Sequence, residues 1–220
     1  MASADRPDTA VRSLGILGGT FNPPHLGHLA VAHGARHELG LEHVLLVPAN
    51  TAPHKSHADA GPGGGDPGPQ HRLQMCRLAV AGHAGLSVCA VEIERGGLSY
   101  TVDTLRSIHA SHPQAELTFI VGADTAATLG SWREPSQLLE LAHLAVAARA
   151  GAARQHVLEA LERTGVATDV SFLEMPTIEV SSSLARTRAG EGKEIDELVG
   201  PAVAGYIAER GLYARAVASR

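Results

Sequence analysis

Two glycines, Gly18 and Gly19, precede a bend, Thr20-Phe21-Asn22-Pro23-Pro24, and then two histidines three residues apart, His25 and His28. Residues at that spacing share one face of a helix, so both imidazoles can face one pocket. Glycine leaves room for backbone amides to approach a ligand closely. A helix start adds unpaired amides and the positive end of its dipole, which together favour an anion. The chemistry this combination suits is phosphate binding.

Plainer accounts compete with that one. His-x-x-His is half of a metal site, yet no neighbouring Cys, Asp or third His completes it. Histidine occurs thirteen times in the chain, so a chance pair is also open. The strand-to-helix setting and the glycines favour the phosphate. The spacing is not G-x-G-x-x-G, and no G-x-x-x-x-G-K-[ST] occurs. GPGGGDPG (61–68) lacks the lysine and hydroxyl of a phosphate loop and reads as irregular chain.

The elements that must position these residues alternate. SLGILGG (13–19), HVLLVP (43–48), LSVCAVEIE (86–94), ELTFIVGAD (116–124), HLAVAAR (143–149) and DVSFLEM (169–175) read as strands. Helical periodicity follows from Leu29 towards Gly40 and over 70–83 and 99–112, with short helices in SSSLARTRAG and GPAVAGYIAERG. This alternation predicts an α/β fold, a doubly wound parallel sheet with helices on both faces and a small C-terminal helical part over 181–213. Such sheets bind ligands beyond the carboxyl ends of their strands. Gly18-Gly19-Thr20, Pro48 to Lys55, and Gly122-Ala123-Asp124 all follow strands and should converge on one crevice. Residues 1–12 are expected to be a flexible tail and 13–215 a single domain. The Gly/Pro-rich loop 57–70 is expected to be mobile, as a lid or a tolerated insertion.

Composition narrows the class. The formal net charge of −5 gives no support for nucleic acid as a partner. No apolar run approaches a membrane span, and the first residues lack the apolar stretch of a secretory signal. Aromatic residues make up 3% of the chain, so the core must be built from Ala, Val, Leu and Ile. Cys76 and Cys89 form neither a CxxC pair nor a disulfide framework, which fits reduced thiols and a cytoplasmic location.

GGTFNPPHLGHL resembles the (T/H)xGH signature of nucleotidylyltransferases, and VSSSLAR (180–186) resembles its ISSTxxR partner. Within that superfamily the chain resembles bacterial nicotinate-nucleotide adenylyltransferases. VPANTAPHK (47–55), ERGGLSYTVDTL (94–105), FIVGADTAATLGSW (119–132) and VAGYIAERGLY (203–213) match in order, from about Leu14 to Tyr213. The resemblance implies a Rossmann-like fold and transfer of the adenylyl group of ATP to nicotinate mononucleotide, giving nicotinate adenine dinucleotide and pyrophosphate. It implies Mg2+ carried by the ATP phosphates, with no metal held by protein side chains.

Residue by residue, the resemblance assigns His25, His28 and Arg186 to catalysis, with His28 stabilising transition-state charge. Gly18, Gly19, Thr20, Phe21, Asp124, Ser182 and Ser183 join them in binding ATP. Asn50, Lys55, Tyr100, Thr101 and Trp132 would take the mononucleotide, Trp132 as stacking platform and the amides near Thr101 for the carboxylate. Helix capping is the ordinary alternative for Ser182, Ser183 and Asp124. Solvent exposure is that alternative for Lys55, and core packing for Trp132. The chain departs from the family pattern at Asn22, where many relatives carry Asp, at Ser183 for Thr, and at Ala185 for a bulkier residue. Nicotinamide mononucleotide as a second substrate, a catalytically silent nucleotide-binding regulator and self-association all stay open at this point.

Overall fold

The computed structural model describes residues 11–53, 65–148, 152–163, 169–174 and 179–214. Within them six strands run parallel: β1 (Ser13–Gly19), β2 (His43–Pro48), β3 (Leu86–Val88), β4 (Glu116–Gly122), β5 (His143–Ala148) and β6 (Val170–Glu174). Their order is β3-β2-β1-β4-β5-β6, the doubly wound arrangement, and the order reverses between β1 and β4.

Among the described residues ten helices connect and cover the strands: α1 (Leu26–Glu38), α2 (Pro69–Val80), α3 (Val91–Arg95), α4 (Thr101–Ser111), α5 (Ala123–Ala126), α6 (Pro135–Leu141), α7 (Ala152–Glu162), α8 (Ser182–Gly190), α9 (Asp196–Val199) and α10 (Pro201–Glu209). A 3-10 turn, Leu129–Ser131, lies between α5 and α6.

Side chains alternate across the sheet, as strand geometry requires. Leu14, Ile16, Leu45, Val47, Leu117, Phe119, Val121, Leu144 and Val146 join the core that includes α4 to α7. Leu17, Val44, Leu46, Ile120 and Ala145 join the core that includes α1, α2 and α8 to α10. Runs buried on both faces explain why these strands read as continuous apolar segments. Gly15 allows close packing within the second core, because a Cβ there would meet Ile120, Leu41 and Val44 at 2.9 Å.

Most expected elements form near their expected bounds, with two corrections. LSVCAVEIE is a strand only over Leu86–Val88. After Cys89 donates its amide to Leu46 O at 2.9 Å, the chain leaves the sheet edge and α3 begins at Val91. Its alternation comes from short-helix packing, with Val91 against one core and Ile93 against the other. The strand expected over 116–124 stops at Gly122, and Ala123 and Asp124 open α5. Helices α5, α6, α7 and α9 extend the expected set. Lys55, most of the 57–70 loop and most of the 1–12 tail lie outside the described residues.

Candidate active site

The last paired rung between β1 and β2 joins Gly19 to Pro48. On the other side Leu17 pairs with Ile120, so β1 and β4 end level, at Gly19 and Gly122. The three glycine-marked or proline-marked strand ends therefore open on one edge, at the point where strand order reverses. Glycine at 19 keeps that edge uncrowded, since a Cβ there would press on the Phe21 ring at 3.1 Å. Phe21 itself takes a left-handed φ of 51° and is 2% exposed, its ring held edge-on to His28 at 4.8 Å.

His25 is the N-cap residue of α1 and His28 lies in its first turn. Their rings stack at 3.7 Å. The Nδ1 of His28 accepts the His25 backbone N–H at 3.1 Å, so the proton of the neutral His28 ring sits on Nε2. Burial lowers the His25 pKa to about 4, which keeps that ring neutral at pH 7. Gly27 leaves room for the His25 ring: a Cβ would crowd its Nδ1 at 3.0 Å and Val180 Cγ2 at 3.1 Å.

Val180 leads into α8, so the starts of α1 and α8 meet. Arg186 Nη1 donates to Asn22 O at 2.7 Å and Nη2 to Ser183 Oγ at 3.2 Å. Ser182 Oγ donates to Pro23 O at 2.8 Å. Asn22 Oδ1 in turn accepts the Tyr213 hydroxyl at 2.6 Å. The capping alternative for Ser182 and Ser183 fails, because Ser181 caps α8 by accepting the Leu184 amide at 3.1 Å. Two buried polar atoms in the described structure lack a hydrogen-bond partner, His25 Nδ1 and Arg186 Nε. Both belong to this junction. Leaving such groups unpaired costs free energy that an anionic or polar ligand offsets.

A second group of residues gathers beyond β2. The Asn50 amide donates to Ser99 Oγ at 2.9 Å and its Nδ2 to Gly97 O at 2.8 Å. Thr51 forms a bridge to Leu98. These contacts set Asn50 beside the start of α4, where Tyr100 is the N-cap and Thr101 the first helical residue. Arg133 stacks over the Tyr100 ring at 4.7 Å and faces Asp103 at 3.5 Å, tying the Trp132 segment to the same helix start. The Trp132 Nε1 donates to Thr128 Oγ1 at 2.9 Å and its ring meets Phe119 edge-on at 5.9 Å. Trp132 is therefore half-buried against the core rather than wholly within it. Asp124 is exposed in the first turn of α5, which is capped by Gly122, so its capping alternative also fails.

Sequence reasoning missed Arg72. It sits on α2 at 1% exposure, bonded to the carbonyls of Thr20, Ala49 and Asn50. The available signal was its place one turn before Cys76 on an otherwise apolar face. The Tyr213 contact to Asn22 was also missed, and spacing carries no signal for a pair so distant in sequence. Among the described residues no cluster of three or more His, Cys, Asp or Glu side chains is placed to hold a metal.

The family model described as cytidylyltransferase-like matches residues 16–188. A protein of Desulfitobacterium hafniense named "Probable nicotinate-nucleotide adenylyltransferase" is 39% identical over 204 residues, 92% of this chain and 96% of its own. A protein of Gemmatimonas aurantiaca with the same name is 39% identical over 202 residues, 91% and 92% of the two chains. The chain belongs to the nicotinate-nucleotide adenylyltransferase family. The solved nicotinic acid mononucleotide adenylyltransferase of Plasmodium falciparum, complexed with NaAD, superposes with a TM-score of 0.71 at 19% identity. The alignment covers 92% of this chain and 97% of that one, and it confirms the fold. No described helix is long and apolar enough to cross a membrane.

Proposed function

We propose that this chain transfers the adenylyl group of ATP to nicotinate mononucleotide, releasing pyrophosphate and forming nicotinate adenine dinucleotide. The observation that carries this reading is the unpartnered, buried Arg186 Nε beside the stacked His25–His28 pair, where two helices begin. That combination suits a triphosphate. The nucleophile is a phosphate oxygen of the mononucleotide, already anionic at neutral pH, so no strong general base is needed. It forms a bond to the α-phosphorus of ATP as the bond to the bridging oxygen breaks and pyrophosphate departs.

Catalysis then consists of holding the two phosphates in line and stabilising the charge that develops. The Nε2–H of His28 and the guanidinium of Arg186 supply donors for the α-phosphate and the departing pyrophosphate, with His25, Ser182 and Ser183 alongside. Gly18, Gly19, Thr20 and Phe21 line the nucleotide, and Asp124 accepts from its ribose. The groups at the helix junction are donors and neutral imidazoles rather than carboxylates. Mg2+, a hard cation that prefers oxygen ligands, fits there as an ion carried in by the ATP phosphates. It would neutralise triphosphate charge. Asn50 and Lys55 take the mononucleotide's ribose and phosphate, the first-turn amides near Thr101 its carboxylate, and Tyr100 and Trp132 its ring.

Pyrophosphate release with ATP, Mg2+ and each mononucleotide tests the reading. The expected result is a much higher kcat/KM for nicotinate than for nicotinamide mononucleotide. Equal values would replace it with a dual-specific enzyme. Binding of ATP with no turnover of either substrate would replace it with a nucleotide-binding regulator.

A further inference from the structure

Beyond the last rung of β1 and β2, the strand ladder no longer ties the two segments together. One backbone bond continues, from the Ala49 amide to Gly19 O at 2.9 Å. Past it, the two loops converge on one side chain. Arg72 Nη1 donates to Thr20 O at 2.9 Å and to Ala49 O at 2.5 Å, while Nη2 donates to Asn50 O at 2.8 Å. Its Nε donates to Asp66 Oδ1 at 2.9 Å, and that carboxylate is half-exposed. A buried charge on the apolar face of α2 is expensive unless it is hydrogen-bonded, and here every guanidinium nitrogen of Arg72 has a partner.

We infer that Arg72 is a positioning residue that locks the ATP loop and the mononucleotide loop into one rigid unit, so that both substrates depend on it. The inference rests on the reaction proposed above. Thr20 leads directly into Phe21, whose strained backbone sets its ring against His28. Asn50 is fixed at its other end to Gly97, beside the α4 start. In-line transfer needs the mononucleotide phosphate and the α-phosphate of ATP at a fixed mutual distance, and beyond the Ala49–Gly19 bond the guanidinium links the segments that carry them. A lysine cannot replace it. Its donors radiate from one nitrogen, whereas the planar fork of Arg72 spans three separate carbonyls.

The test is steady-state kinetics of Arg72→Lys with both substrates varied, well below its Tm. Loss of stability alone reduces the amount of active enzyme, which lowers kcat and leaves KM unchanged. Displaced loops raise KM for ATP and for nicotinate mononucleotide together, each by about tenfold or more. Unchanged KM values, or a rise in only one, would overturn the inference. Asp66→Ala is the second variant, since it removes the exposed partner and leaves the core filled. It should raise both KM values by about two- to fivefold, the range of a half-exposed ion pair. If Arg72→Lys does not fold, Asp66→Ala decides alone, and two unchanged KM values overturn the inference. Failure of the wild-type chain to form the dinucleotide is a separate result, which removes the proposed reaction and this inference with it.

Discussion

The Nδ1 of His28 accepts the backbone N–H of His25 at 3.1 Å, and this one bond decides what His28 can do. With Nδ1 occupied as an acceptor, the neutral ring presents Nε2–H as a donor, in the form suited to a phosphate oxygen gaining charge. His28→Ala should therefore lower kcat by about 10²-fold or more with both substrates saturating. His28→Asn, which keeps a donor, should recover part of the loss. A kcat within threefold of wild type for His28→Ala would remove the charge-stabilising role.

Gly27→Ala separates activity from stability. The added Cβ would meet the His25 ring at 3.0–3.1 Å and Val180 at 3.1 Å, so the ring must shift. Replacing glycine by alanine inside a helix returns roughly 1 kcal/mol of propensity, which offsets the crowding. The expected outcome is a Tm close to wild type and a kcat lowered by about tenfold, in keeping with a displacement well under 1 Å. Thermal melting and steady-state turnover measured together check it. Normal turnover would show that the His25 ring can move without consequence.

The parts legible in the sequence were those governed by short-range rules. β1 and β2 could be bounded because glycine and proline end them, and the crevice could be placed because ligand sites follow the carboxyl ends of parallel strands. The resemblance then named His25, His28, Ser182, Ser183 and Arg186, which do meet at the α1–α8 junction. What stayed hidden depends on partners distant in the chain. Alternation in VEIE is compatible with a strand, and only the end of β2 pairing makes it a helix. Arg72 could be seen as a misplaced charge on an apolar face, but its three carbonyl partners come from two loops that spacing cannot bring together. Ser99, just before α4, accepts the Asn50 amide across 49 residues of sequence, a pairing that spacing cannot show.

Acid should destabilise the fold partly through His25. Its pKa is about 4 when folded and 6.5 in the unfolded chain, so the unfolded state binds the proton first as pH falls. The stability held by the neutral ring is complete above about pH 6.5 and is lost progressively as pH drops towards 4. That contribution is on the order of 3 kcal/mol. His33 and His43 are lowered in the same direction, chiefly by burial, and add to the trend. Thermal melting of wild type and His25→Asn between pH 7 and pH 4.5 isolates the His25 share. The variant should lose less Tm across that interval, and identical pH profiles would exclude the effect.

Tyr213 and Arg186 hold the same residue by different atoms, and their loss should differ accordingly. The Tyr213 hydroxyl donates to the Asn22 side chain, while Arg186 holds the Asn22 main-chain carbonyl. Tyr213→Phe leaves Asn22 Oδ1 without that donor in a largely buried place, which should cost about 1–2 kcal/mol. The main chain of the Asn22 turn stays anchored through Arg186, so the path to His25 keeps its course. The expected result is a lower Tm with kcat/KM within about threefold of wild type, because no interaction made in the transition state is removed. A loss of kcat on the scale expected for His28→Ala would instead mean that the phenol reaches the substrate.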